Sequence, residues 1–181
     1  ISEGFWNLSF EIRTGKLDFI LLKPVWTWFP IFFRMIRVGS MISMPLPWLC
    51  LYYFAFKVRL NLLELLSIPL LVLLAISLLV SIEILISMSM FWTIESWGIN
   101  FLRLQIQQVS RWPDFTFRYW FRKMFSIVIP VLLVGSMPVR WLLGDGEFYS
   151  LILLIAVTVL VNIISVYLWR IALRRYESAS S

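Results

Sequence analysis

Residues 65–92 read LLSIPLLVLLAISLLVSIEILISMSMFW, with Glu83 as the one ionisable side chain in the run. A helix needs about 20 predominantly apolar residues to cross the hydrocarbon core of a bilayer. This run has length to spare, enough to cross with tilt. Composition agrees: the chain has 181 residues, 61% hydrophobic and 14% charged. A soluble domain runs nearer 45–50% apolar and about 25% charged. The sequence therefore reads as an all-α membrane protein.

Working outward, three more windows meet the length requirement. With residues 65–92, spans are expected near 38–56, 125–143 and 149–169. The chain then divides into a cytoplasmic amphipathic segment, 1–37, and a transmembrane helical domain, 38–181, of about four spans. Pro45 and Pro47 lie in the first window, Pro130 and Pro138 in the third. Proline removes a helical hydrogen bond, but membrane helices tolerate it where neighbours re-satisfy the freed carbonyl. Two readings stand for these windows: helices bent for packing, or a re-entrant segment around Pro138.

The net charge of +6 reads as topology rather than nucleic-acid binding, because the cations cluster at the ends of apolar runs. With the N-terminus inside, Arg13, Lys16, Lys23, Arg34 and Arg37 are cytoplasmic. So are Arg103, Arg111, Arg118, Arg122 and Lys123 in the middle loop, and Arg170, Arg174 and Arg175 at the end. Lys57, Arg59 and Arg140 fall outside, as the positive-inside rule prefers, with the acidic turn Asp145 to Glu147. Both termini are then cytoplasmic. Aromatic boundary anchors fit this, among them Trp26, Trp92, Trp97, Trp120 and Trp169 inside and Tyr53, Trp141 and Tyr149 outside.

Polar residues inside spans are costly and face the bundle interior. Glu83 is either a conduit residue or a hydrogen-bonded packing residue. Ser77 and Ser81 lie roughly opposite it on the same helix, so that helix is expected to pack on two faces. Thr158, Asn162, Ser165 and Trp169 fall at i, i+4, i+7 and i+11, one polar stripe that glues helices or lines a path. Two further stretches are amphipathic: Phe5 to Phe33, where Phe5, Leu8 and Ile12 share a face, and the basic Ile99 to Lys123. Such segments lie on anionic headgroups or dock a cytoplasmic partner.

Several chemistries are excluded. One cysteine, Cys50, and no histidine leave no disulfide framework and no Cys/His metal cage. Thr14-Gly15-Lys16 is not a phosphate-binding loop: the upstream glycine is missing, and Leu17 stands where a magnesium-binding hydroxyl is needed. Asn7-Leu8-Ser9 is a glycosylation sequon placed on the cytoplasmic side. No Gly-x-Ser-x-Gly, no HExxH and no paired carboxylates appear, so enzymatic chemistry is not expected of this chain.

At RTGKLDFILLKPV, residues 13–25, the sequence resembles the permeases of bacterial type-2 ATP-binding-cassette (ABC) exporters, the ABC-2 family. One branch carries a cytoplasmic Gly-x-Leu-Asp-x-x-Leu-Leu-Arg-Pro signature. It is matched by Gly15, Leu17, Asp18, Leu21, Leu22, Lys23 and Pro24, with Lys23 in place of arginine. The likeness continues through Ser89 to Trp92, Trp112-Pro113, and a span holding Pro130 and Pro138 that closes on Leu142, Leu143 and Gly144. It extends over roughly residues 10–170.

That resemblance implies a six-span permease in the bacterial inner membrane, of which this chain holds spans three to six. The two upstream spans are expected to precede Ile1. It further implies coupling to a separate ABC ATPase through Gly15 to Pro24, a second permease subunit, and alternating access. ATP and magnesium would sit on the ATPase, with no cofactor held by this chain. Glu83 and Asn162 remain candidates for conduit or interhelix polar roles. The competing class is a non-transporting structural or accessory subunit of a larger membrane complex.

Overall fold

The computed structural model describes residues 2–33, 38–93, 97–144 and 148–176. Arg34, Arg37 and Asp145 to Glu147, which entered the topology reading, lie outside the described residues. Within them the chain is helical with no strand. The helices are α1 (Ser2–Arg13), α2 (Lys16–Leu21), α3 (Trp28–Phe33), α4 (Val38–Ser43) and α5 (Pro45–Lys57). They continue as α6 (Leu62–Met88), α7 (Trp97–Ser110), α8 (Tyr119–Ile127), α9 (Leu132–Leu142) and α10 (Phe148–Arg175).

Two helices, Leu62–Phe91 counted with its short 3-10 extension and Phe148–Arg175, are long and apolar enough to cross a membrane. A third joins them if the bent pair α8 and α9 is one span. An all-helical membrane protein is what the composition required. The window at 38–56 is divided: α5 begins with Pro45 in its first turn, after a break at Met44. A proline is pre-organised for that position and has no amide to lose there. The window at 125–143 merges two helices that meet at 97°. The break lies at residues 128–131, around Pro130, whereas Pro138 sits inside α9.

α6 starts from a tight turn in which Arg59 adopts a left-handed φ of 60°. The Glu64 carboxylate accepts from the Asn61 amide at 2.7 Å, satisfying a donor at the helix start and placing negative charge at the positive end of the dipole. α6 and α10 then run parallel. The Asn162 amide nitrogen donates to Ser77 Oγ at 3.1 Å, Ser81 Oγ donates to Asn162 Oδ1 at 2.9 Å, and Ser165 Oγ donates to the Ser81 carbonyl at 3.2 Å. The polar stripe of α10 is thus a seam against α6, the gluing role open to it from sequence. Around it Leu71, Leu78, Ile82, Leu154 and Val161 form one buried cluster with Val131 and Leu133 of the bend.

The middle segment departs from expectation. It is not a loop held at one end of the bundle. α7 runs about 21 Å for its 14 residues, antiparallel to α6. Its start lies beside Trp6, whose ring meets Trp97 edge-on at 6.3 Å. Its end carries the chain to Asp114, which holds both Arg122 (2.9 Å) and Arg140 (2.5 Å). Arg140 belongs to the last turn of α9, a few residues before α10 begins. Arg122 and Arg140 therefore lie at the same end, where opposite sides were expected. Trp169 also differs: placed at a boundary from sequence, it is buried in the core, and its indole donates to Thr27 Oγ1 at 2.9 Å.

This geometry is open to labelling. With Cys50 changed to serine, single cysteines at Arg118 and Tyr149 are expected to react from the same side of sealed vesicles. A cysteine at Lys23 should react from the other side. Labelling of positions 118 and 149 from opposite sides would contradict the traverse of α7.

The candidate coupling elbow and the buried charge beneath it

Helices α1, α2 and α3 form an elbow at the end of the bundle where α6 and α10 finish. The apolar face of α1 is turned onto the bundle, not onto headgroups. Phe5, Leu8, Leu17 and Ile20 are buried in one cluster with Ile84, Met88, Met90, Trp169 and Ala172, and Ile12 packs against it. The signature of residues 15–24 divides along this line. Leu17 is fully buried and Leu21 packs at the edge. Leu22, Lys23 and Pro24 are exposed, Leu22 by 81%, together with Phe19, Val25 and Trp26.

Gly15 is required by its backbone. It links α1 to α2 with φ of +68°, a conformation that costs side chains with a Cβ about 1–2 kcal/mol. The Asp18 amide then donates to the Gly15 carbonyl at 3.2 Å. The Asp18 side chain is turned toward its own chain, beside Tyr176 just past α10. Burial, and next the Asp18 carboxylate, push the Tyr176 hydroxyl up to about 12. Asp18 thus lies at the join between the elbow and the end of α10, and the apolar tip at Leu22 to Trp26 is the outward surface.

Beneath the elbow sits a charged cluster that sequence reading half anticipated. Glu83 is buried and faces α7, away from the Ser77–Ser81 side that meets α10. Gln107 donates its amide to Glu83 Oε1 at 2.5 Å, and Arg103 Nε lies 3.5 Å from Oε2. Arg103 is fully buried, donates to Asn100 Oδ1 at 2.8 Å, and its guanidinium stacks over the Phe5 ring at 4.4 Å. Glu83 therefore sits within a hydrogen-bonded and ion-paired network between α6 and α7. Arg103, expected in the middle loop, lies inside the bundle instead. The available signal was periodicity: Asn100, Arg103, Ile106 and Ser110 share one face of α7.

The protein joins three features: a pair of long apolar helices sealed by a polar seam, a bent pair at one end, and a glycine-hinged elbow with an exposed tip at the other. A family model described as "ABC-2 family transporter protein" matches residues 1–180. The chain belongs to the ABC-2 transporter family. No curated protein and no solved structure matches it. Membership makes it a membrane permease of the ABC-2 kind. No metal-binding group of histidine, cysteine or carboxylate side chains occurs among the described residues.

Proposed function

We propose that this ABC-2 permease is the transmembrane subunit of an ATP-driven exporter and that its elbow takes the thrust of a separate ABC ATPase. The observation that carries this reading is the division of the Gly15–Pro24 segment. Leu17 and Ile20 fix it to the ends of α6 and α10, while Phe19, Leu22, Lys23, Pro24 and Trp26 face outward. An exposed apolar tip on a rigid anchor is what a docking partner needs to push a bundle. ATP and magnesium sit on the ATPase, and this chain contributes no chemistry of its own.

Transport is by alternating access, with both chain ends in the cytoplasm of the cell and the bilayer being the bacterial inner membrane. A second permease subunit completes the path. In support, α5 is exposed along nearly all its length, with Leu46, Leu49, Tyr53, Phe54 and Phe56 turned outward.

The test is copurification. Leu22→Asp places a charge at the tip without touching the buried side of the elbow. The variant is expected to insert normally and to recover at least tenfold less ATPase, the size of a hot-spot loss. It should also lose substrate-stimulated ATP hydrolysis. Full ATPase recovery by Leu22→Asp would return the elbow to a structural role.

A further inference from the structure

We propose that the chamber between the bent pair and α10 is a binding site for an anionic amphiphile: a chain that fills the apolar walls, with a carboxylate or phosphate head at the rim. The chamber exists because Pro130 lies in the break between α8 and α9. At 97°, α8 diverges from α9 instead of continuing beside α10, and no residue of α8 is buried. The space left has a volume of about 1020 Å³, at the upper end of the range for small-molecule sites.

Its walls and rim differ in character. Ile82 of α6, Leu133 and Met137 of α9, and Val157 and Leu160 of α10 supply an apolar interior. Arg122, Lys123, Arg140 and Asp114 gather at one side. Asp114 is engaged by both arginines. Three cations against one carboxylate leave a positive surplus of two, while the Lys123 ammonium lies over the Tyr119 ring at 6.0 Å. Cations at the rim of a lipid-facing apolar space select anionic headgroups over neutral ones. A neutral lipid would fill the walls but gain nothing at the rim, and a free anion would meet the rim but leave the walls empty. This site is distinct from the elbow and does not depend on the coupling role proposed for it.

The experiment uses the purified full chain in neutral detergent, without ATPase. Binding of spin-labelled stearate is compared with binding of spin-labelled stearyl alcohol, and butyrate is offered as competitor. Stearate is expected to bind at least fivefold more tightly than the alcohol, and butyrate to displace it poorly. Lys123→Glu alters an exposed side chain and should weaken stearate roughly five- to tenfold, as expected for reversing one partly screened charge contact, with the alcohol unchanged. Val157→Trp, which narrows the chamber, should weaken both. Equal affinity for acid and alcohol would overturn the proposal, as annular lipid binding. Displacement by butyrate as effective as by stearate would overturn it as a simple anion site. Wild-type stearate binding by Lys123→Glu would overturn the role of the rim.

Discussion

Glu83→Ala is expected to remove about 3–5 kcal/mol of stability, enough to prevent recovery of a folded bundle from most detergents. The reason lies in what the substitution leaves behind. Arg103 is fully buried and faces Glu83 across 3.5 Å, so removing the carboxylate takes this counter-charge away from a buried cation. Gln107 loses its acceptor in the same step. Removing both charges is a different matter, because a buried ion pair gains little over well-packed apolar groups of similar volume. Glu83→Leu combined with Arg103→Met is therefore expected to recover most of the loss. Thermal unfolding followed by tryptophan emission reads both variants. A Glu83→Ala protein as stable as wild type would show that the pair carries no structural weight.

Phe5→Ala is expected to cost about 3–5 kcal/mol, the usual range for truncating a fully buried aromatic side chain. It also removes the ring over which the Arg103 guanidinium sits at 4.4 Å, so its effect should not simply add to that of Glu83→Ala. Amide hydrogen exchange across residues 2–13 is expected to rise sharply in Phe5→Ala and hardly at all in Phe10→Ala, because Phe10 is 55% exposed. Were α1 lying on headgroups, the two variants would behave alike. Equal exchange in both would contradict the packing of α1 on the bundle.

The long helices were legible in the sequence because length and hydropathy suffice for them. α6 and α10 emerge close to the windows at 65–92 and 149–169, and the stripe through Asn162 has the partner face its spacing implied. α7 escaped because its amphipathicity is reversed relative to a soluble helix. Asn100 and Arg103 point into the bundle while Phe101 and Leu102 point outward. From sequence that pattern reads as a basic amphipathic segment at the membrane surface. In a bilayer it is the favourable arrangement, since the charge finds its partner inside.

The path of α7 also moves the charges. With α7 traversing the bundle, Arg111, Arg118, Arg122 and Lys123 join Arg140 at the end where α10 begins, so the charge asymmetry that oriented the chain narrows. Lys16, Lys23, Arg170, Arg174 and Arg175 at the opposite end still favour placing that end inside. The bend was misplaced for a local reason. Both prolines interrupt the ladder, but Pro138 is carried within α9, whereas Pro130 falls where the chain has already left α8. The Gly15–Pro24 motif marks the elbow's position, but the side turned inward could not be read there. Leu17 and Leu22 are the same residue type five positions apart, one fully buried and the other 81% exposed. Only the left-handed turn at Gly15 and the packing of α1 decide which is which.

A photocrosslinking amino acid at Leu22, in membranes that also hold the proposed ABC ATPase, reads the docking surface itself, with Ile152 of α10 as the comparison position. An adduct between position 22 and the ATPase is expected, and none from position 152. An assembled complex that gives no adduct at position 22, or gives one at position 152, would contradict docking at the elbow.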